Sequence, residues 1–184
     1  MTTSNEAETA IQGSWQLDPP HTLVEFSAKH MMITTVKGHF GSVRGTIIYD
    51  EEDPSRSTVE AEIDAASLYT GTAMRDNDLR SSHFLEVEKY PTITFKSTRV
   101  ELSGSDRGQV IGDLTIHGVT REVALETELT GRGKNPWGKE VIAFEARTSI
   151  NRKDFGLHWN MALETGGVLV GDIIKIEIAA ECVR

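Results

Sequence analysis

Apolar and polar residues alternate along most of this chain with a period of two. In residues 58 to 65, TVEAEIDA, Val59, Ala61, Ile63 and Ala65 fall on one side, and Thr58, Glu60, Glu62 and Asp64 on the other. Such a run is a strand with one dry face and one wet face. Ile174, Ile176, Ile178 and Ala180 repeat the pattern against Lys175, Glu177 and Glu181. Ile142, Phe144, Ala146 and Ile150 oppose Glu145 and Arg147; Val123, Leu125 and Leu129 oppose Glu122, Glu126 and Glu128. Residues 22 to 30, 38 to 50, 92 to 102 and 109 to 116 read as further strands. Asp18-Pro19-Pro20, Asp53-Pro54-Ser55, Gly104-Ser105, His117-Gly118 and Gly133 to Gly138 supply turns between them.

About eight long strands with short polar breaks predict an all-β fold, an antiparallel sandwich or barrel. Ten residues at about 3.3 Å each span roughly 33 Å, and closure into a barrel removes exposed edges. Inward positions are often small, as at Ala28, Ala61, Ala146, Thr148 and Ala180, which favours a hollow interior. An interdigitated core stays open on pattern alone. Residues 66 to 91 break the alternation. Within them Thr72 to Phe84 has room for a short helix, with Leu79 its apolar contact, and the segment reads as a cover or rim over one end. Residues 1 to 13 are polar and aperiodic and read as a flexible tail, leaving 14 to 184 as one domain.

Composition narrows the function. The net charge of −9, without a run of Lys and Arg, argues against nucleic acid as a partner. The first residues lack the basic start and apolar stretch of a secretory signal, and no window has the length of a membrane span. The chain therefore reads as cytoplasmic, without an integral membrane segment. Cys182 stands alone and reads as a small buried apolar residue, not a catalytic thiol. The six histidines are scattered without ligand spacing, so no metal site and no required cofactor are expected. There is no GxSxG and no phosphate-binding glycine loop, and no catalytic residue is assigned.

Five segments carry a resemblance. They are WQLDPPHTLVEFSAKHMMITTVKGHFG (15 to 41), AASLYTGTAMRDNDLRSSHFLEVEKYPTITFKS (65 to 97), GDLTIHGVTREVALE (112 to 126), INRKDFGLHWN (150 to 160) and LVGDIIKIEIAAE (169 to 181). In this order they resemble the YceI-like family of lipid- or polyisoprenoid-binding barrels, lipocalin-like in shape. The resemblance implies an extended eight-stranded antiparallel β-barrel, an apolar tunnel for a prenyl chain, and often a homodimer. The second segment departs from the family, which commonly has a His in the place of Asn77 and an acidic residue in the place of His83. That departure bears on headgroup preference.

Combined with the alternation, the resemblance nominates Val24, Phe26, Phe95, Phe144, Ile174 and Ile176 as the lipid-binding wall. His30 follows on the same face, either as a satisfied core histidine or as a polar group facing the tunnel. Trp159 and Phe155 flank Gly156 and either pack a barrel end or border the cavity. Arg75, Asp76, Asp78 and Arg80 form a charge cluster. It reads as a mouth for a phosphate or quinone headgroup, or as a salt-bridge network that fixes the loop. Asn151, Arg152, Lys153 and Asp154 pose the same choice. The expected polar mouth is Arg75, Asp76, Arg80, Asn151 and Asp154. The expected ligand is a polyisoprenoid, an isoprenyl phosphate or an isoprenoid quinone, held for carriage or storage. Two rivals are a small-substrate enzyme with His30 or Asp76 as base, and a ligand-free, stress-related interaction module with a filled core.

Overall fold

The computed structural model describes residues 13–184, so the expected tail lies outside the described residues save for Gly13. The strands are β1 (Ser14–Leu17), β2 (Leu23–His30), β3 (Thr34–Phe40), β4 (Val43–Ile48), β5 (Thr58–Asp64), β6 (Leu68–Tyr69), β7 (Thr92–Leu102), β8 (Arg107–Ile116), β9 (Val119–Lys134), β10 (Glu140–Asn151) and β11 (Ile173–Val183). One helix, α1 (Ala73–Arg80), follows β6.

All pairings are antiparallel, and the sheet closes. β11 pairs with β10 along its length, with β2 through Ile178↔Val24, and with β1 through Leu17↔Cys182. β1 and β2 thus act as one stave, broken where Pro19 and Pro20 form a 3-10 turn and cannot donate to a ladder. β3 and β4 form a second broken stave, pairing with β2 and β1 respectively. With β5 and β7 to β11 they make a closed eight-stranded barrel. The β8–β9 turn has φ of 56° at His117 and 71° at Gly118, the doubly positive geometry that two-residue hairpins favour.

The core is divided. At one end Trp15, Ile47, Ile142 and Cys182 are buried together, with Leu17, Tyr49, Val59, Leu129 and Phe144 packed around them. At the other, Ala65, Ile93, Leu114, Ile116, Ile150, Phe155 and Leu157 form a second cluster, joined by Phe95, Ile174 and Ile176. Between the two, successive inward positions are small: Ala61 on β5, Ala146 and Thr148 on β10, Ala180 on β11. Packed ends and a waist of small residues make a barrel that is closed in outline and open within.

Cys182 is fully buried. Burial, reinforced by the charge of Glu181, pushes its thiol up to about 12. At pH 8 only roughly one thiol in ten thousand would be ionised, and the thiolate is the nucleophile. Native protein treated with iodoacetamide at that pH should therefore stay unlabelled, while denatured protein should gain one adduct by intact mass. Rapid labelling of the native state would show that this end of the barrel opens.

Candidate functional site

A cavity of about 1170 Å³ runs through the barrel. Its wall includes Ala28, Ala61, Ala146, Thr148 and Ala180, the small positions named from the alternation, together with Val24, Phe26, Phe95, Phe144, Ile174 and Ile176. All six residues expected on the wall therefore face one space. Two of the aromatic rings lie over glycines of the adjoining strand. The ring tip of Phe26 lies 2.5 Å from where a Cβ on Gly38 would stand, and that of Phe95 lies 2.7 Å from the same point on Gly112. Each ring uses the space left by a missing side chain and stays against the wall.

The end nearest α1 is built differently. α1 is a short run of good helix formers, Ala73, Met74, Arg75 and Leu79 among them, and it is held mainly by polar bonds. Arg75 donates from Nε to the Thr70 hydroxyl at 2.7 Å and from Nη2 to the Thr70 carbonyl at 2.8 Å. Asp76 is buried and accepts from the Thr70 amide at 2.9 Å and from its hydroxyl at 2.5 Å. Arg80 donates to the carbonyls of Ala66 at 2.9 Å and Leu68 at 2.7 Å. Met74, Arg75, Asn77, Asp78, Leu79 and His83 reach the cavity.

The expected polar mouth is corrected accordingly. Arg75 borders the cavity, but Asp76, Arg80, Asn151 and Asp154 are not on its wall. Asp76 and Arg80 bind the loop's own backbone. Asn151 caps the following 3-10 turn by accepting from Lys153 N at 3.0 Å. Asp154 offers its backbone carbonyl to Arg121. The loop-fixing alternative accounts for them.

Arg152, inside the second charge cluster, turns inward instead. Its side chain is 2 % exposed and borders the cavity. The guanidinium donates to the carbonyls of Gly171 at 3.0 Å, Leu157 at 2.7 Å, Trp159 at 2.9 Å and Val170 at 3.4 Å. Asp172 lies 3.7 Å away. Burial lowers the Arg152 pKa from its ordinary value, against a partial opposing pull from Asp172. Asn160 completes the arrangement, donating to Val170 O at 2.8 Å and accepting from Val170 N at 3.0 Å. These two side chains fold residues 157–171 over the end of the barrel. Asn160 was not singled out from sequence; Arg152 was raised only as one of the NRKD run, which showed that charge gathers there, not which member points in.

Trp159 stacks on His83 at 4.9 Å between ring centroids, and Phe84 meets it edge-on at 5.4 Å. This pair ties the segment after α1 to the segment held by Arg152. Phe155 is separately buried in the core cluster. His30 borders the cavity but is exposed, at the last position of β2, so it is no core histidine. On the outside, Asp18, His21 and Glu181 meet at the β1–β2 junction. There the Asp18 hydrogen bond, with the charge of Glu181, raises the His21 pKa.

The geometry is a long apolar bore with small-residue walls and one polar-bonded end. A family model, the YceI-like domain, matches residues 15–182. A UPF0312 protein of Yersinia pestis (strain Pestoides F) is 39% identical over 153 residues, covering 82% of this chain and 79% of that one. Burkholderia cenocepacia BcnA superposes with a TM-score of 0.79 at 21% identity, over 90% of this chain and 98% of that one. A domain from Saccharophagus degradans, described as polyisoprenoid binding and implicated in plant cell wall breakdown, superposes at 0.69 with 15% identity. That match covers 92% of this chain and 97% of that domain. At such identities the last two speak to the fold alone.

Proposed function

The chain belongs to the YceI-like family, and on that footing we propose that it binds a long apolar lipid of the polyisoprenoid class inside the barrel. The observation that carries this reading is the bore itself. Its volume of about 1170 Å³ exceeds the roughly 300–1,000 Å³ typical of sites for drug-sized ligands. Water is a poor filler where the walls offer few polar partners. An apolar chain fits: burial contributes about 0.8 kcal/mol per CH₂, or at most roughly 4 kcal/mol for each five-carbon unit, before ordering costs.

Selectivity for the polar end would come from Arg75, Asn77, Asp78 and His83, which border the cavity near α1. Arg75 already spends two donors on Thr70, so its charge, more than a free fork, is what a phosphate would meet. A hydrolase or isomerase reading draws less support. Of its two candidate bases, Asp76 is occupied by Thr70 and stands off the cavity wall, and His30 borders the cavity but is exposed at the end of β2. A filled-core interaction module fits the hollow waist poorly. Organic extraction of purified native protein followed by mass spectrometry should recover a prenyl-chain lipid near one per barrel. Repeated recovery of no apolar molecule, together with no uptake of added polyprenyl phosphate, would overturn the reading.

A further inference from the structure

Methionine is among the residues most often buried, yet all four methionines among the described residues are exposed. Met31 is 42%, Met32 63%, Met74 83% and Met161 55% exposed, and Ile33 reaches 75%. They gather at the α1 end. Met31, Met32 and Ile33 form the β2–β3 turn. The Met31 amide donates to Leu169 O at 2.8 Å, and the Leu169 amide donates to Met161 O at 2.9 Å. The Met32 sulfur lies against Gly167. Met74 stands on α1, where it also borders the cavity.

The turn is built against its own backbone preference. Met31 has φ 52° and Met32 φ 62°, the left-handed region where hairpins ordinarily place Asn or Gly. The turn needs that backbone; what it does not need is methionine there. Met31 at 42% and Met32 at 63% exposure, where Asn or Gly would serve the turn, point to a use at the surface.

We propose that this end of the barrel docks on a phospholipid bilayer, with Met31, Met32 and Ile33 entering the interface. Two features select a bilayer over a protein partner. The apolar residues are exposed in a hairpin turn, Ile33 to 75%, and are not set in a groove shaped for a complementary surface. Methionine is flexible and polarisable, suited to a fluid surface without fixed pockets. The charge of the turn does not oppose it: residues 29–37 carry Lys29 and Lys37 and no acid, in a chain of net charge −9. The patch is continuous with the bore, since His30, Trp159, Leu169 and Val170 border the cavity. A chain leaving the bilayer here would pass into the barrel with little exposure to water. This inference rests on the reading of the bore as a lipid site.

The test is flotation with phosphatidylglycerol–phosphatidylethanolamine vesicles, comparing the full chain with Ile33→Glu, Met161→Glu and Trp137→Glu. Trp137 is 81% exposed in the β9–β10 turn at the far end. The unsubstituted chain should float. Ile33→Glu and Met161→Glu should each lose roughly tenfold or more in vesicle partitioning, and Trp137→Glu should match the parent. Failure of the parent to float, or equal flotation of all forms, overturns the proposal. So does a dimer in sedimentation velocity that Ile33→Glu dissociates while no form floats, since that assigns the patch to a second copy. Lipid content by extraction, read on the same samples, separates the two readings. Docking without any extractable or exchangeable prenyl lipid would remove the lipid-site reading and leave the docking surface standing.

Discussion

Replacing Arg152 with Met should destabilise the protein by about 3–5 kcal/mol, the usual cost of deleting one member of a buried, charge-assisted set. The side chain is nearly fully buried and serves the carbonyls of Leu157, Trp159, Val170 and Gly171 at once. Methionine fills much of the volume but leaves those acceptors without donors in a place water reaches poorly. For a chain of this length each kcal/mol moves Tm by roughly 2–4 °C, so a fall on the order of 10 °C is expected by calorimetry. Arg152→Lys should recover less than half of the loss. An ammonium is a point charge without the planar fork that reaches acceptors on two sides. Trp159 fluorescence should shift as well, because its backbone is one of the four attachments and its ring rests on His83. A loss below about 1 kcal/mol would mean that Asn160 and the strand ends hold residues 157–171 without help.

Filling the waist should separate binding from folding. Ala146→Trp and Ala180→Trp each place a large ring where the inward wall is small and borders open space. Retained prenyl lipid should fall at least tenfold per mole of protein, with Tm unchanged or raised because new apolar surface is buried without displacing a neighbour. Ile142→Trp is the contrast. Ile142 is fully buried with Trp15, Ile47 and Cys182 and does not border the cavity, so the same enlargement should cost about 1–3 kcal/mol through overpacking. If the waist variants lost stability as Ile142→Trp does, the barrel centre would be a packed core and the carrier reading would fall.

How far the sequence foretold this structure can be judged strand by strand. β5 and β11 alternate cleanly because each has one face on the bore and one in water, so their inward residues were readable. β3 was not read before residue 38. Its first residues, Thr34 and Thr35, are exposed on a hairpin that projects past the barrel, so there is no buried face to set a period. Gly133 reads as the start of a turn, yet β9 continues to Lys134 after a register shift opposite Ala143 and Phe144. There the pairing offered by β10 outweighs the weak strand preference of glycine.

The polar end was misjudged for a related reason. Arg80 and Asp76 look like ligand-facing charges when their partners are unknown, and those partners are backbone groups of an aperiodic loop whose path no pattern encodes. Which residues border the cavity could be read along the strands and not in the loop, because a wall follows from a period of two and a mouth follows from the route of a loop.

The two rings laid over Gly38 and Gly112 carry a consequence for cargo choice. A methyl at Gly38 would stand 2.5 Å from the Phe26 ring and 2.8 Å from the Thr70 methyl, so it would press the ring toward the barrel axis. One at Gly112 would meet the Lys96 carbonyl as well as the Phe95 ring, and would press on the neighbouring strand too. The calibre of the passage is thereby governed from behind the wall, by positions that touch no cargo at all. Gly38→Ala would turn Phe26 into a stop across the passage, and evolution could shorten or lengthen the admitted chain by such moves without altering one residue of the lining.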